Sequence, residues 1–334
     1  MLTPTDLLHL PYTPDLTEGG IAYAVRSLPY TYDRMSGSLY SRLRRIVGGV
    51  AVELAFRRYL GGQEIPFDVK GATPFTEPDR YDVALGGHRC DIKTFIISRR
   101  KQISEVRRRP GLLLRAPALI PSDQFASENH RDGDLYIFAF LLGLTTNSQE
   151  DIAAACQAGQ PLYLIHPFEK DWSRPQAWAS MGALALKSEC AEAVTVELGG
   201  QDSERQFITR SLCLPPLERL SLPPDFYSLS CIHVDRPAEA RIGIHSPNRG
   251  ETRVIHPHEW GNIWVYGMDI YLTGYLSHDE FRRRASPIAS GSRVFQYSKT
   301  QTKNQSVLVA DLRPLPELFE RVREWASSAS HQTG

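Results

Sequence analysis

The stretch Asp82-Val-Ala-Leu-Gly-Gly-His-Arg-Cys-Asp91-Ile-Lys93 decides how this chain is read. Tyr81 to Leu85 and His88 to Ile96 each alternate apolar and polar residues, and Gly86-Gly87 lies between them. Two alternating runs joined by Gly-Gly predict a β-hairpin with a primed two-residue turn. That turn sets the register: Leu85 opposite His88, Val83 opposite Cys90 and Asp82 opposite Asp91. Period-two alternation then groups Tyr81, Val83, Cys90 and Ile92 on an apolar face, with Asp82, Asp91 and Lys93 on the other.

Carboxylates directly opposite one another on neighbouring strands have Cβ atoms ~5 Å apart, a normally unfavourable arrangement. At an effective dielectric of ~20 the repulsion is about 3 kcal/mol. A divalent cation between them reverses the sign, because Mg²⁺ is held by one or two carboxylates plus waters and phosphate oxygens. Lys93, two residues beyond Asp91, aims its ammonium at whatever the cation holds. Metal, carboxylates and lysine together suit activation of a water and stabilisation of a pentacovalent phosphate.

Asp82 followed by Asp91-Ile-Lys93 resembles the active-site signature of the PD-(D/E)XK, or restriction-endonuclease-like, nucleases. Many of these enzymes carry a glutamate on a helix before the hairpin. Here Ser38 to Leu60 reads as that helix: Leu39, Leu43, Ile46, Val47, Val50 and Leu54 form a stripe, and Gly61-Gly62 ends it. Glu53 borders the stripe. The resemblance covers about residues 36–140 and departs from the family at one point, since Pro78-Asp79 comes three residues early; the hairpin register favours Asp82 over Asp79. It implies an α/β fold with a restriction-endonuclease-like α/β/α core. It further implies Mg²⁺, replaceable by Mn²⁺, on Asp82, Asp91 and the Ile92 carbonyl, with Glu53 supporting the site and Lys93 at the attacking water.

Downstream, Ser98 to Arg115 holds seven basic residues against the single acid Glu105. Arg99, Arg100, Lys101, Gln102, Arg107, Arg108 and Arg109 are therefore the candidates to meet a phosphate backbone beside the site. Pro110 is expected to end the helical part. Asp134 to Leu142 reads as a strand buried on both faces, and Ile65 to Lys70 as a first strand. A helix over Gln149–Ala158 and a strand over Pro161–Pro167 follow. Beyond residue 190, short β-prone runs alternate with proline, glycine and asparagine turns. Ser277 with Glu280 marks a capped helix start. The expected organisation is an irregular arm over 1–35, a nuclease domain over 36–185 and a β-rich recognition or dimerisation domain over 190–330.

Composition is that of a globular protein, 42% hydrophobic and 23% charged, and basic and acidic residues balance at 38 each. Any polyanion-binding surface must then be local. Five scattered cysteines without a C-x-x-C pair argue against a zinc site and fit a reducing cytoplasm. No signal-peptide pattern opens the chain, and the longest apolar run, Leu135 to Leu144, is half a membrane span. His256-Pro-His258-Glu259 reads as a turn rather than a metal site. Arg282 to Arg284, Arg293, Lys299 and Lys303 offer a second basic surface, while Trp260, Trp264 and Tyr266 read as core or sheet-face residues.

The resulting expectation is a Mg²⁺-dependent endonuclease acting on double-stranded DNA, of restriction, defence or mobile-element type, working as a homodimer or in a larger defence complex. The alternatives are a nuclease-like module that binds nucleic acid without cutting, and a structure-specific or RNA-directed nuclease.

Overall fold

The computed structural model describes residues 1–31, 39–71, 81–126, 131, 133–145, 148–160, 162–263 and 265–330. It is a mixed α/β protein whose contacts fall into two units. One comprises residues 1–19, 48–144 and 267–334; the other comprises 20–47 and 145–266. These limits differ from the expected boundaries near 35 and 190. The reason is a long-range pairing: the strand from Val265 to Ser277 lies beside the Leu135–Thr145 strand, so the C-terminal segment belongs with the hairpin. Among the described residues, no helix is long and apolar enough to cross a membrane.

The first unit is built on a six-stranded sheet. Its strands are β1 (Leu8–Leu10), β2 (Phe67–Asp68), β3 (Val83–Leu85), β4 (His88–Ile97), β5 (Leu135–Thr145) and β6 (Val265–Ser277), in the order β1-β6-β5-β4-β3-β2. β4 and β5 run parallel, from Cys90 beside Leu135 to Ile97 beside Leu142. Every residue from Leu135 to Leu142 is buried, as its unbroken apolar run predicts for a central strand. The expected first strand shrinks to the two residues of β2.

Partners in a parallel ladder project to the same side, so the faces of β4 can be assigned. Ile96 and Leu141 lie under helix α2 (Leu39–Gly62), which approaches closely at Gly48: an added Cβ there would sit 2.7 Å from Ile96 Cδ1. Phe95, Ile97, Tyr136, Phe138 and Phe140 pack on the opposite side, with Ile103 and Val106 of helix α3 (Arg100–Arg108) and with Phe281. Asp91 and Lys93 share this second face. Phe281 is carried by the short helix His278–Arg284, whose capping box is the predicted one: Ser277 Oγ accepts from Glu280 N.

Within the span 1–35 read as an irregular arm, Pro14–Thr31 is a helix, opened by a proline that suits the first helical position. Its buried positions Thr17, Gly20, Ile21, Ala24, Val25 and Leu28 recur at helical spacing. In the second unit, residues of this helix and of α2 pack on Ile165, Cys231 and Ile263. That unit also holds two antiparallel sheets of five and four strands and the helices Gln149–Gln157 and Lys170–Ser173. A shared core that includes Trp172, Leu186, Val196, Leu198, Ile232 and Ile244 joins them.

Candidate functional site

The hairpin turn is what the dipeptide requires. Gly86 and Gly87 have φ of +56° and +82°, a region that residues with a Cβ enter at a cost. A side chain at Gly86 would also collide with the Trp325 ring, whereas Gly87 faces open space. The register follows, with Val83 opposite Cys90 and Leu85 opposite His88. The regular ladder ends at Val83 and Cys90, and Asp82 N donates to the same Cys90 O at 3.1 Å.

Asp82 and Asp91 lie close enough for the charge of one to act on the carboxyl of the other. Asp82 Oδ2 accepts from the backbone N–H of Ile92 at 2.6 Å. In an extended strand a residue's N–H and C=O point to one edge, so the Ile92 carbonyl also faces the Asp82 side. Lys93 Nζ lies 2.6 Å from Asp91 Oδ2 and donates to Gln124 Oε1 at 3.1 Å. From α2, the Arg57 guanidinium donates to the Asp82 carbonyl at 2.6 Å.

Electrostatics mark the same spot. Burial first, and the Asp91 charge second, push Asp82 up to about 7, against the opposing pull of the Ile92 N–H, Lys93 and Arg57. Asp82 retains some exposure as a residue while its carboxyl lies deep among protein atoms. Cys90, between the two acids in sequence, projects into the core, where burial raises its thiol far above neutrality. It is no nucleophile.

Glu53 does not join the two aspartates. Among the described residues, no three or more His, Cys, Asp or Glu side chains converge on a common metal position. Helix α2 lies on the Ile96 and Leu141 side of the sheet, and the Glu53 carboxylate sits 3.7 Å from Arg57. Two carboxylates and a backbone carbonyl remain, a donor set that suits a hard cation completing its shell with water.

The basic segment divides. Arg99 donates to Gln102 Oε1 and to the Phe295 carbonyl, both at 3.0 Å, and Gln102 donates to the same carbonyl at 2.7 Å. Arg107 pairs with Asp269 at 2.5 Å, an acid on β6 that a local charge count does not see. Arg108 returns to Ser104 O at 3.2 Å. Arg100, Lys101, Arg108 and Arg109 are exposed. The second basic surface is partly spent on its own helix: Arg282 and Arg283 both pair with Asp279, at 2.7 Å each.

His256-Pro-His258-Glu259 forms the expected turn, closed by Glu259 accepting from His256 N at 2.7 Å, and Trp260 is buried. Pro78, Asp79 and Trp264 lie outside the described residues, as does the Tyr266 side chain. Gln124 had no signal near the hairpin in sequence; Arg57 had one, its four-residue spacing from Glu53. Comparisons with family models, curated proteins and solved structures find no match for this chain.

Proposed function

We propose that this chain is a metal-dependent nuclease of the PD-(D/E)XK type that hydrolyses phosphodiester bonds in double-stranded DNA. The observation that supports it is the closeness of the Asp82 and Asp91 carboxyls, with Lys93 2.6 Å from Asp91. Held by these carboxylates and the Ile92 carbonyl, Mg²⁺ or Mn²⁺ supplies an acidified water and neutralises charge on the scissile phosphate. Lys93 Nζ orients the attacking water and offsets the charge that develops on the phosphate. Gln124 accepts from Lys93 Nζ at 3.1 Å and would hold the ammonium were Asp91 to hold a cation. Arg57 fixes the Asp82 backbone, and the exposed Arg100, Lys101, Arg108 and Arg109 hold the DNA strand.

The test is supercoiled-plasmid cleavage in Mg²⁺, in Mn²⁺ and in EDTA, comparing wild type with Asp91→Asn and Lys93→Met. Cleavage by wild type alone, abolished by EDTA, is the expected result. Equal cleavage by all three proteins removes the assignment. One observation favours a second reading, a domain that binds nucleic acid without cutting it: Asp82 and Asp91 already have partners in the Ile92 N–H and Lys93. Salt-dependent DNA binding in EDTA, with no turnover in either metal, would select that reading.

A further inference from the structure

The four-stranded sheet of the second unit has one face in the core and one face open. Its strands, in spatial order, are Arg219–Ser221, Ala185–Ser188, Ile242–Ser246 and Glu251–Ile255. Leu186, Ile242, Ile244 and Ile255 are buried. The alternate positions face outward over a shallow dish of about 470 Å³.

Register arranges that open face in rows. One row runs Arg219, Lys187, Gly243, Val254, each residue paired with the next across the strands. The neighbouring row runs Ser221, Ala185, His245, Thr252, with His245 Nδ1 2.9 Å from Thr252 Oγ1. Arg219 and Lys187 are thus directly opposed like charges, an arrangement that costs stability in a sheet. Glu189 does not relieve them in full, since it is committed to Arg241 by two bonds of 2.8 and 2.9 Å. Beside the cations the floor is low: Ala185 carries one carbon, and a Cβ added to Gly243 would meet nothing closer than 4.0 Å.

We propose that this open face binds the phosphodiester backbone of a nucleic-acid strand, apart from the hairpin site and without need of a metal ion. The dish is too open to enclose a small anion, so an extended polyanion is the occupant that its shape and charge fit. Arg219 and Lys187 meet successive phosphates, and their mutual repulsion turns into shared attraction. Ser221, His245 and Thr252 supply hydrogen-bonding groups in the next row, and the low floor at Ala185 and Gly243 lets the strand lie close to the sheet.

The experiment measures binding of the full-length protein to a fluorescein-labelled 30-nucleotide single-stranded DNA in EDTA, by anisotropy across a salt series. Wild type is compared with Lys187→Ala/Arg219→Ala and with Lys187→Glu. Loss of two phosphate contacts lowers the slope of log K against log salt by about 1.4 for a single strand and weakens binding about tenfold at moderate salt. Lys187→Glu turns the opposed pair into an attractive one, so its melting temperature rises while its DNA affinity falls. That opposition of signs separates lost binding from lost folding. Unchanged affinity and slope in both variants overturn the proposal, as does absence of binding by wild type at low salt. So does a result in which the substitutions change self-association or capture of an acidic protein and leave DNA binding intact. Because the assay contains no metal and reads no cleavage, it succeeds or fails independently of the hairpin site.

Discussion

Replacing Asp82 by Asn tests the geometry of the site without any appeal to activity. Asn preserves size and an oxygen that can accept the Ile92 N–H, but removes the charge that Asp91 opposes. In the folded protein Asp82 stands at about 7, raised from 3.8. The folded state therefore holds this proton more tightly than the unfolded chain does. The sign follows: the contribution is fully present below about pH 3.8 and is lost as pH rises through 7. Three pK units at 1.36 kcal/mol each set an upper bound of about 4 kcal/mol. Between pH 5 and pH 8 only the two pK units from 5 to 7 are crossed, so at most about 2.7 kcal/mol of it is lost over that interval. The assay is urea unfolding in EDTA at pH 5 and pH 8. Wild type should lose this amount relative to Asp82→Asn over that interval, so that the variant is the more stable protein at pH 8. Mn²⁺ added at pH 8 should recover much of the loss in wild type and little in the variant. Parallel pH dependence in the two proteins would refute the juxtaposition of the two carboxyls.

Lys93→Met should bind Mn²⁺ about tenfold tighter, measured by EPR of the free ion, while abolishing cleavage. A charge-assisted contact of about 1.5 to 3 kcal/mol no longer competes for Asp91, and weaker binding would show that Lys93 assists the cation instead. Gly87→Ala should cost about 1 kcal/mol for its left-handed backbone. Gly86→Ala should cost about 1 to 3 kcal/mol more, because Trp325 must move; equal losses in denaturant melts would contradict the packing of that ring. Ser277→Ala should cost about 1 kcal/mol through the lost cap, and an unchanged melting temperature would mean that the His278–Arg284 helix does not depend on it.

What the sequence made legible was local. Alternation around Gly86-Gly87 fixes both strands and their register within a dozen residues, so the closeness of Asp82 and Asp91 needs no distant information. The unbroken apolar run of β5 and the Ser277–Glu280 cap are local in the same sense. The side of the sheet covered by α2 is not. It depends on a close approach at Gly48 to Ile96 and Leu141, and a stripe of apolar residues does not say which surface it meets. Which surface Glu53 faces is not legible for that reason. The pairing of Arg107 with Asp269 bridges 162 residues, and β6 enters the sheet from as far away. Neither leaves a trace in a window of any useful width. The helix at Pro14–Thr31 is the opposite case: its spacing was readable, but the prolines and tyrosines around it suggested irregular chain.

Like charges held close together occur twice in this protein, Asp82 with Asp91 and Lys187 with Arg219. Each arrangement costs stability, and a neutral residue at either position would remove the cost without disturbing strand or core. Each becomes favourable when a ligand of opposite charge is bound: a divalent cation at the first pair, a phosphate backbone at the second. A pair that serves only the fold gives way differently from one that serves a ligand. Neutralising one member of a structural pair weakens the protein, because a useful contact is lost. Neutralising one member of a ligand-binding pair strengthens the free protein and weakens the complex. Asp82→Asn and Lys187→Met apply that criterion at both places, and the two signs need not agree. If both variants are less stable than wild type, neither opposition is a strain that a ligand relieves, and the case for each site loses its physical basis.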